Sequence, residues 1–189
     1  MTEPVQSQVW ANQAKPRPAP VSETSVVTMF VCANSARPGV SPTSGLRQPP
    51  SRLAHDWPCS VREITVPCTG KLQPEHLLKA FEAGADLVCV VACAGDNCHY
   101  LEGSQRAQRR VEYVRRLLDD VGVGGDRLLM VSLPGSARED MAAAGGKGAD
   151  GSGAREKEIT DGLARLSKQI AEKLQVLGPC PLGRGRPSP

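Results

Sequence analysis

Short, nearly unbroken apolar runs alternate along this chain with longer stretches in which apolar residues recur every three or four positions. Val26, Val27, Met29, Phe30 and Val31 form the first run, and Cys32 ends it. A run so short and so continuous predicts a strand buried on both faces. Val61, Ile64 and Val66 predict a second strand, halted by Pro67, with Cys68 directly after the stop. Leu87, Val88, Cys89, Val90 and Val91 predict a third, closed by Cys93, and residues 126 to 133, DRLLMVSL, a fourth.

Helical periods fall between and after these runs. In QPEHLLKAFEAGAD, Pro74 suits the first turn, Glu75 complements the positive end of the helix dipole and Gly84 suits the C-terminal cap. Leu77, Leu78 and Phe81 would face the sheet. Ala107, Val111, Val114, Leu118 and Val121 make one helical stripe, with Arg106, Arg109, Arg110, Arg115 and Arg116 on the other face. Ile159, Leu163, Leu166, Ile170 and Leu174 mark a last helix. Strands alternating with helices imply right-handed crossovers, so the fold class predicted is a three-layer α/β domain with a mainly parallel four-stranded sheet and flanking helices.

Composition divides the chain further. Residues 1 to 23 mix Pro, Ser, Gln and Ala without a period and read as a disordered arm. The α/β domain then spans 24 to 133, interrupted at 36 to 58 by an irregular connection that carries Pro38, Pro42, Pro49, Pro50 and Pro58. Residues 134 to 157 read as a flexible linker, 158 to 177 as the C-terminal helix and 178 to 189 as a disordered tail. No apolar run reaches the roughly 20 residues of a membrane span, and no secretory signal opens the chain, so a cytoplasmic protein is expected. A net charge of +3 and an aromatic content of 3% speak against a nucleic-acid partner. Gly70 and Lys71 lack the flanking residues of a phosphate loop, and no glycine fingerprint follows the first strand.

The chemistry lies in the cysteines, of which there are seven. In a reducing compartment they are thiols, metal ligands or redox groups rather than structural disulfides. Parallel strands deliver the loops at their carboxyl ends to one edge, where such folds place ligands. Cys32, Cys68 and Cys93 each end a different strand, and Cys98 lies in the loop CAGDNCHY that leaves the third. The four should therefore meet, whereas Cys59 falls in the irregular connection, Cys89 inside a strand and Cys180 in the tail. Four gathered thiols suit a zinc site or an iron-sulfur cluster. Zinc ligands usually come as close pairs, and the spread over three strands favours the cluster. Gly70 and Gly95 would let backbone N–H groups approach the sulfurs, with Asp96, His99 and Tyr100 acting from behind the ligands. His55 and His76 read as surface residues. Two other readings of the same thiols remain: a zinc-stabilised interaction module, and a dithiol redox protein using Cys93 and Cys98. The arginine face of the long helix reads either as solvated charge or as a dock for an acidic redox partner.

Residues 25 to 133 resemble the delta, iron-sulfur, subunit family of the methyl-viologen-reducing hydrogenases. Cys32 in VCAN, the C-T-G at 68 to 70, the cysteine pair ahead of His99-Tyr100, the E-G-S at 102 to 104 and the R-x-x-R-R at 106 to 110 match in order. The resemblance implies a small α/β electron carrier without a substrate pocket of its own, an oxidoreductase subunit. It implies a [2Fe-2S] cluster held by Cys32, Cys68, Cys93 and Cys98. It further implies electron relay between a hydrogenase or other donor and a heterodisulfide-reductase-like or methylenetetrahydrofolate-reductase-type flavoprotein. One position departs from the pattern: the family usually has a cysteine three residues after the first, and here that position is Ser35. If that thiol is a ligand in relatives, this chain would use Ser35, recruit Cys59 or bind no cluster.

Overall fold

The computed structural model describes residues 25–35, 53, 55–95, 98–135 and 151–183. The predicted arm, most of the predicted irregular connection, Asp96 and most of the predicted linker lie outside these residues. Strands β1 (Val26–Cys32), β2 (Ser60–Val66), β3 (Leu87–Cys93) and β4 (Leu128–Leu133) form one sheet in the order β2-β1-β3-β4. Every neighbouring pair is parallel. Among the described residues three α-helices accompany it: α1 (Pro74–Glu82), α2 (Gly103–Asp120) and α3 (Gly151–Leu177).

The period of two along a strand sorts the buried residues into two layers. Phe30, Val88, Val90 and Leu128 pack with Leu77 and Phe81 of α1 and with Val111, Val114 and Leu118 of α2. Val27, Met29, Val31, Leu87, Cys89 and Val91 turn the other way, onto Leu163, Leu166, Ile170 and Leu174 of α3. The protein is thus a three-layer α/β fold, with β1 and β3 central and β2 at an edge where Ile64 is exposed.

Boundaries shift in three places. The fourth strand starts at Leu128, because Gly125–Arg127 form a 3-10 turn in which Arg127 is buried. Helix α3 begins at Gly151 rather than 158: Gly151 and Gly153 suggest a linker, but no proline intervenes and Ala154 to Lys157 are good helix formers. The start of the expected tail is packed. Arg127 donates hydrogen bonds to the carbonyls of Leu177, Gly178 and Pro179, the Cys180 N–H reaches Asp86 Oδ1 at 2.8 Å, and Cys180 is buried among α1 and α2 residues.

Turn chemistry agrees with the sequence where it matters. Gln73 and His76 form a reciprocal capping pair at the start of α1, in which the Gln73 N–H donates to His76 Nδ1 at 2.9 Å. Gly84, just past the end of α1, has φ +93, a conformation glycine adopts without strain.

Candidate metal centre

Three strands deliver cysteines to the carboxyl edge of the sheet. Cys32 and Cys93 are the last residues of β1 and β3, and Cys68 follows β2 by two residues. β1 lies between β2 and β3, so the three arrive side by side. Cys98 comes back from the loop after β3 and packs with Cys32 and Cys93 as a small cluster of its own, apart from both main cores. All four thiols are nearly fully buried.

The Cys93 Sγ lies 3.5 Å from the Cys32 Sγ and donates to it. Cys32 Sγ is also 4.0 Å from the Pro67 carbonyl oxygen, at the end of the neighbouring strand. Cys68 and Cys98 meet at Gly103, the first residue of α2. A β-carbon there would lie 2.6 Å from Cys68 Sγ, 3.2 Å from Cys98 Sγ and 3.7 Å from Tyr100 Cβ. Gly70 supports this approach from the other side, since its own β-carbon would lie 2.8 Å from the α-carbon of Gly103. The two glycines touch backbone to backbone, which is why the C-T-G turn and the start of α2 can bring their sulfurs together.

Electrostatics tie the set into one unit. The Cys32 thiol is lowered to about 6, first by the hydrogen bond from Cys93, against the opposing effect of burial, and further by the backbone N–H groups of Asn34, Thr69 and Ser35. Cys93, the donor, is pushed up by that same hydrogen bond, by burial and by the charges of the other three. Burial raises Cys68, which the Gly70 N–H partly offsets, while Cys32 and Cys98 raise it further. Amides converging on sulfur stabilise thiolate, the form that binds a metal. A buried four-thiol set with peptide N–H donors fits an iron-sulfur cluster in its donor chemistry. Among the described residues, no three His, Cys, Asp or Glu side chains are drawn in closely enough to hold one metal ion.

The remaining cysteines sit elsewhere, and all seven are free thiols. Cys89 is sealed inside β3 and pushed up to about 12 by burial alone. Cys59, raised to about 11 by burial and then by the charge of Asp86, lies ahead of β2 against the α3 core, at the opposite end from Cys68. Ser35 is fully buried, but its hydroxyl donates to the Ala92 carbonyl at 3.0 Å, and its backbone bridges Gly135. The hydroxyl thus serves the backbone of β3.

Two supporting residues carry no signal of that role in the sequence. Gly103 is visible there only as the middle of E-G-S. Arg110 belongs to the arginine face by period, yet its guanidinium turns in to the carbonyl oxygens of Gly70 and Leu72, locking the C-T-G turn onto α2. Arg115 likewise donates to the Leu128 carbonyl at 2.8 Å. His99 and Tyr100 are exposed and stack edge to face at 4.9 Å. His76 is spent on the α1 cap and His55 packs against Trp57.

Residues 27–147 match the family described as methyl-viologen-reducing hydrogenase, delta subunit. The vhu iron-sulfur subunit of the F420-non-reducing hydrogenase of Methanococcus maripaludis is 31% identical over 157 residues, covering 83% of this chain and 96% of that protein. Its namesake in Methanocaldococcus jannaschii is 38% identical over 88 residues, 47% of this chain and 66% of its own length. A further likeness, 33% over 72 residues, is to one of the subunits of the ferredoxin:CoB-CoM heterodisulfide reductase of Methanosarcina mazei, of which it covers 9%.

Proposed function

The chain belongs to the family of the methyl-viologen-reducing hydrogenase delta subunit, and from this premise we propose that it is an electron-transfer subunit with a [2Fe-2S] cluster on Cys32, Cys68, Cys93 and Cys98. It relays electrons between a hydrogenase or other donor and a flavoprotein of heterodisulfide-reductase or methylenetetrahydrofolate-reductase type. The observation that carries this reading is the convergence of four buried thiols from three strand ends and one loop on a single edge. The iron-sulfur subunit names of relatives support the cofactor class, and the segment shared with a heterodisulfide reductase supports the class of partner.

Bound there, the cluster supplies a one-electron couple. The protein supplies the rest. Peptide N–H groups at Asn34, Ser35 and Thr69 soften the negative charge on the Cys32 sulfur, and Gly70 does so for Cys68. Burial keeps water from those sulfurs, and the two together set the potential. Gly103 leaves room for two of the sulfurs, and Arg110 holds the turn that carries one of them.

Anaerobic purification, iron and sulfide analysis, visible absorption and EPR test the proposal. Stoichiometric iron and a reducible EPR-active centre are expected; a colourless protein that takes up no iron on reconstitution would refute it. One observation favours a second reading, the 3.5 Å approach of Cys32 and Cys93, which suits a reversible dithiol. Cys68→Ser separates the two: it abolishes metal binding in a cluster protein and leaves a Cys32–Cys93 couple working.

A further inference from the structure

Electron transfer demands that a partner come close to the thiols, and they are covered. The turn from Cys98 to Gly103 forms part of that cover, since Tyr100 Cβ and the sulfurs of Cys68 and Cys98 all crowd the same point at Gly103. On this turn the sequence places two large side chains in water: Tyr100 is 55% exposed and Leu101 81%. Leu101 also has φ +56, the left-handed region that a bulky side chain adopts at a cost. An apolar side chain that is both strained and held out into solvent is favourable for neither folding nor solubility, a pattern that points to function.

The surface continues along α2. Arg109, Tyr113 and Arg116 recur at steps of four and three, and so share one helical face, roughly opposite the buried stripe of Ala107, Val111, Val114 and Leu118. All three are exposed, Tyr113 at 51%. Arg106 is tied to Glu102 at 2.9 Å, and Arg110 and Arg115 turn inward to backbone carbonyls. Arg109 and Arg116 have no ion pair among the described residues. Tyrosine and arginine are the residue types that dominate binding energy at protein interfaces.

We propose that Tyr100, Leu101, Arg109, Tyr113 and Arg116 form the docking surface for an acidic iron-sulfur electron carrier. This rests on the electron-transfer reading above and adds to it the place and chemistry of the contact. Leu101 and Tyr100 anchor the partner over the thiols, and the two free arginines pair with its carboxylates and speed its encounter.

An acidic [2Fe-2S] ferredoxin, immobilised for interferometry at low salt, is the probe, with the full chain in solution. Arg109→Glu/Arg116→Glu should weaken binding about tenfold or more and flatten its salt dependence. Leu101→Gly, which suits the left-handed backbone, should weaken binding several-fold while leaving thermal stability unchanged or raised. No measurable binding, or affinities unchanged in both variants, overturns the proposal. Binding a DNA duplex as tightly as the ferredoxin overturns it in favour of a polyanion site. A wild-type dimer in sedimentation that these substitutions dissociate overturns it in favour of a second copy. Visible absorption is read on every sample: variant-sensitive binding by a chain that takes up no iron refutes the cluster and leaves the surface standing.

Discussion

The two edges of the sheet bury polar chemistry differently. At the amino edge, side chains satisfy backbone. Asp86, just before β3, accepts from the Val26 N–H at 2.9 Å and the Cys180 N–H at 2.8 Å, and Arg127, just before β4, donates to the carbonyls of Asp86, Val123, Leu177, Gly178 and Pro179. At the carboxyl edge backbone N–H groups also serve side-chain sulfur, and like charge among the thiols raises Cys68 and Cys93. The carboxyl edge gathers four soft donors, two of which the charge of their neighbours holds in the thiol form. Cysteine burial therefore says little by itself; Cys89 is as buried as Cys32, and only the company differs.

The comparison breaks most sharply by substituting cysteines one at a time. Ser at Cys32, Cys68, Cys93 or Cys98 should abolish iron incorporation, measured by metal analysis and visible absorption. Cys89→Ala should leave iron at the wild-type level and cost only about 1–2 kcal/mol for the small cavity it opens. Cys180→Ala should behave the same way. Retention of full iron by any of the four edge variants would remove that residue from the ligand set.

Next in size is the amino edge. Arg127→Met removes five hydrogen bonds from a buried cation to carbonyl oxygens, so a loss of about 3 kcal/mol is expected, read as a lower midpoint in urea. The carbonyls at Leu177 to Pro179 can reach water only if the C-terminal segment lifts off, and faster proteolysis after α3 should accompany the loss. Iron content per folded molecule should stay unchanged, because none of the four proposed ligands lies at this edge.

Gly103→Ala sharpens the other side. A methyl group 2.6 Å from Cys68 Sγ and 3.2 Å from Cys98 Sγ cannot be accommodated without moving one of them. Overpacking of this kind costs about 1–3 kcal/mol, and here it falls on two proposed ligands, so iron loading should drop several-fold with the fold intact by circular dichroism. Full loading with unchanged stability would show that the sulfurs have room to retreat.

Much of this architecture is legible in the sequence. Apolar runs ending in cysteine point both to the parallel strands and to the edge at which three thiols meet, because strand period and chain direction together fix which residues share an end. The stripe on α2 and the stripe on α3 follow from period as well. What stays hidden depends on contacts remote in sequence. Arg110 lies on the charged face by spacing, and only the position of Gly70, 40 residues away, shows that it turns inward. Gly103 looks like part of a motif without a task until two sulfurs are seen against it. The packed C-terminal segment cannot be read from its Pro and Gly content, because its order comes from Arg127 rather than from its own composition.

The smallest effect distinguishes a surface contact from the buried hub beside it. Asp126 Oδ1 meets Lys173 Nζ at 2.8 Å, joining the turn before β4 to α3, and both the hydrogen bond and the charge of Lys173 hold the carboxyl below its usual range. Asp126 is largely exposed, so solvent screens the pair, and Asp126→Asn should cost less than about 1 kcal/mol. A lowered carboxyl contributes stability that is complete above its unfolded value of about 4 and disappears as pH falls through the lower folded value. The deficit of Asp126→Asn in the metal-free chain should therefore be present at pH 7, shrink in high salt and vanish in acid. The deficit of Arg127→Met should persist through both, since its guanidinium stays charged and buried and its acceptors are carbonyls that do not titrate. Two neighbouring residues with the same response to salt and acid would mean that the amino edge, too, is held by screened surface charge.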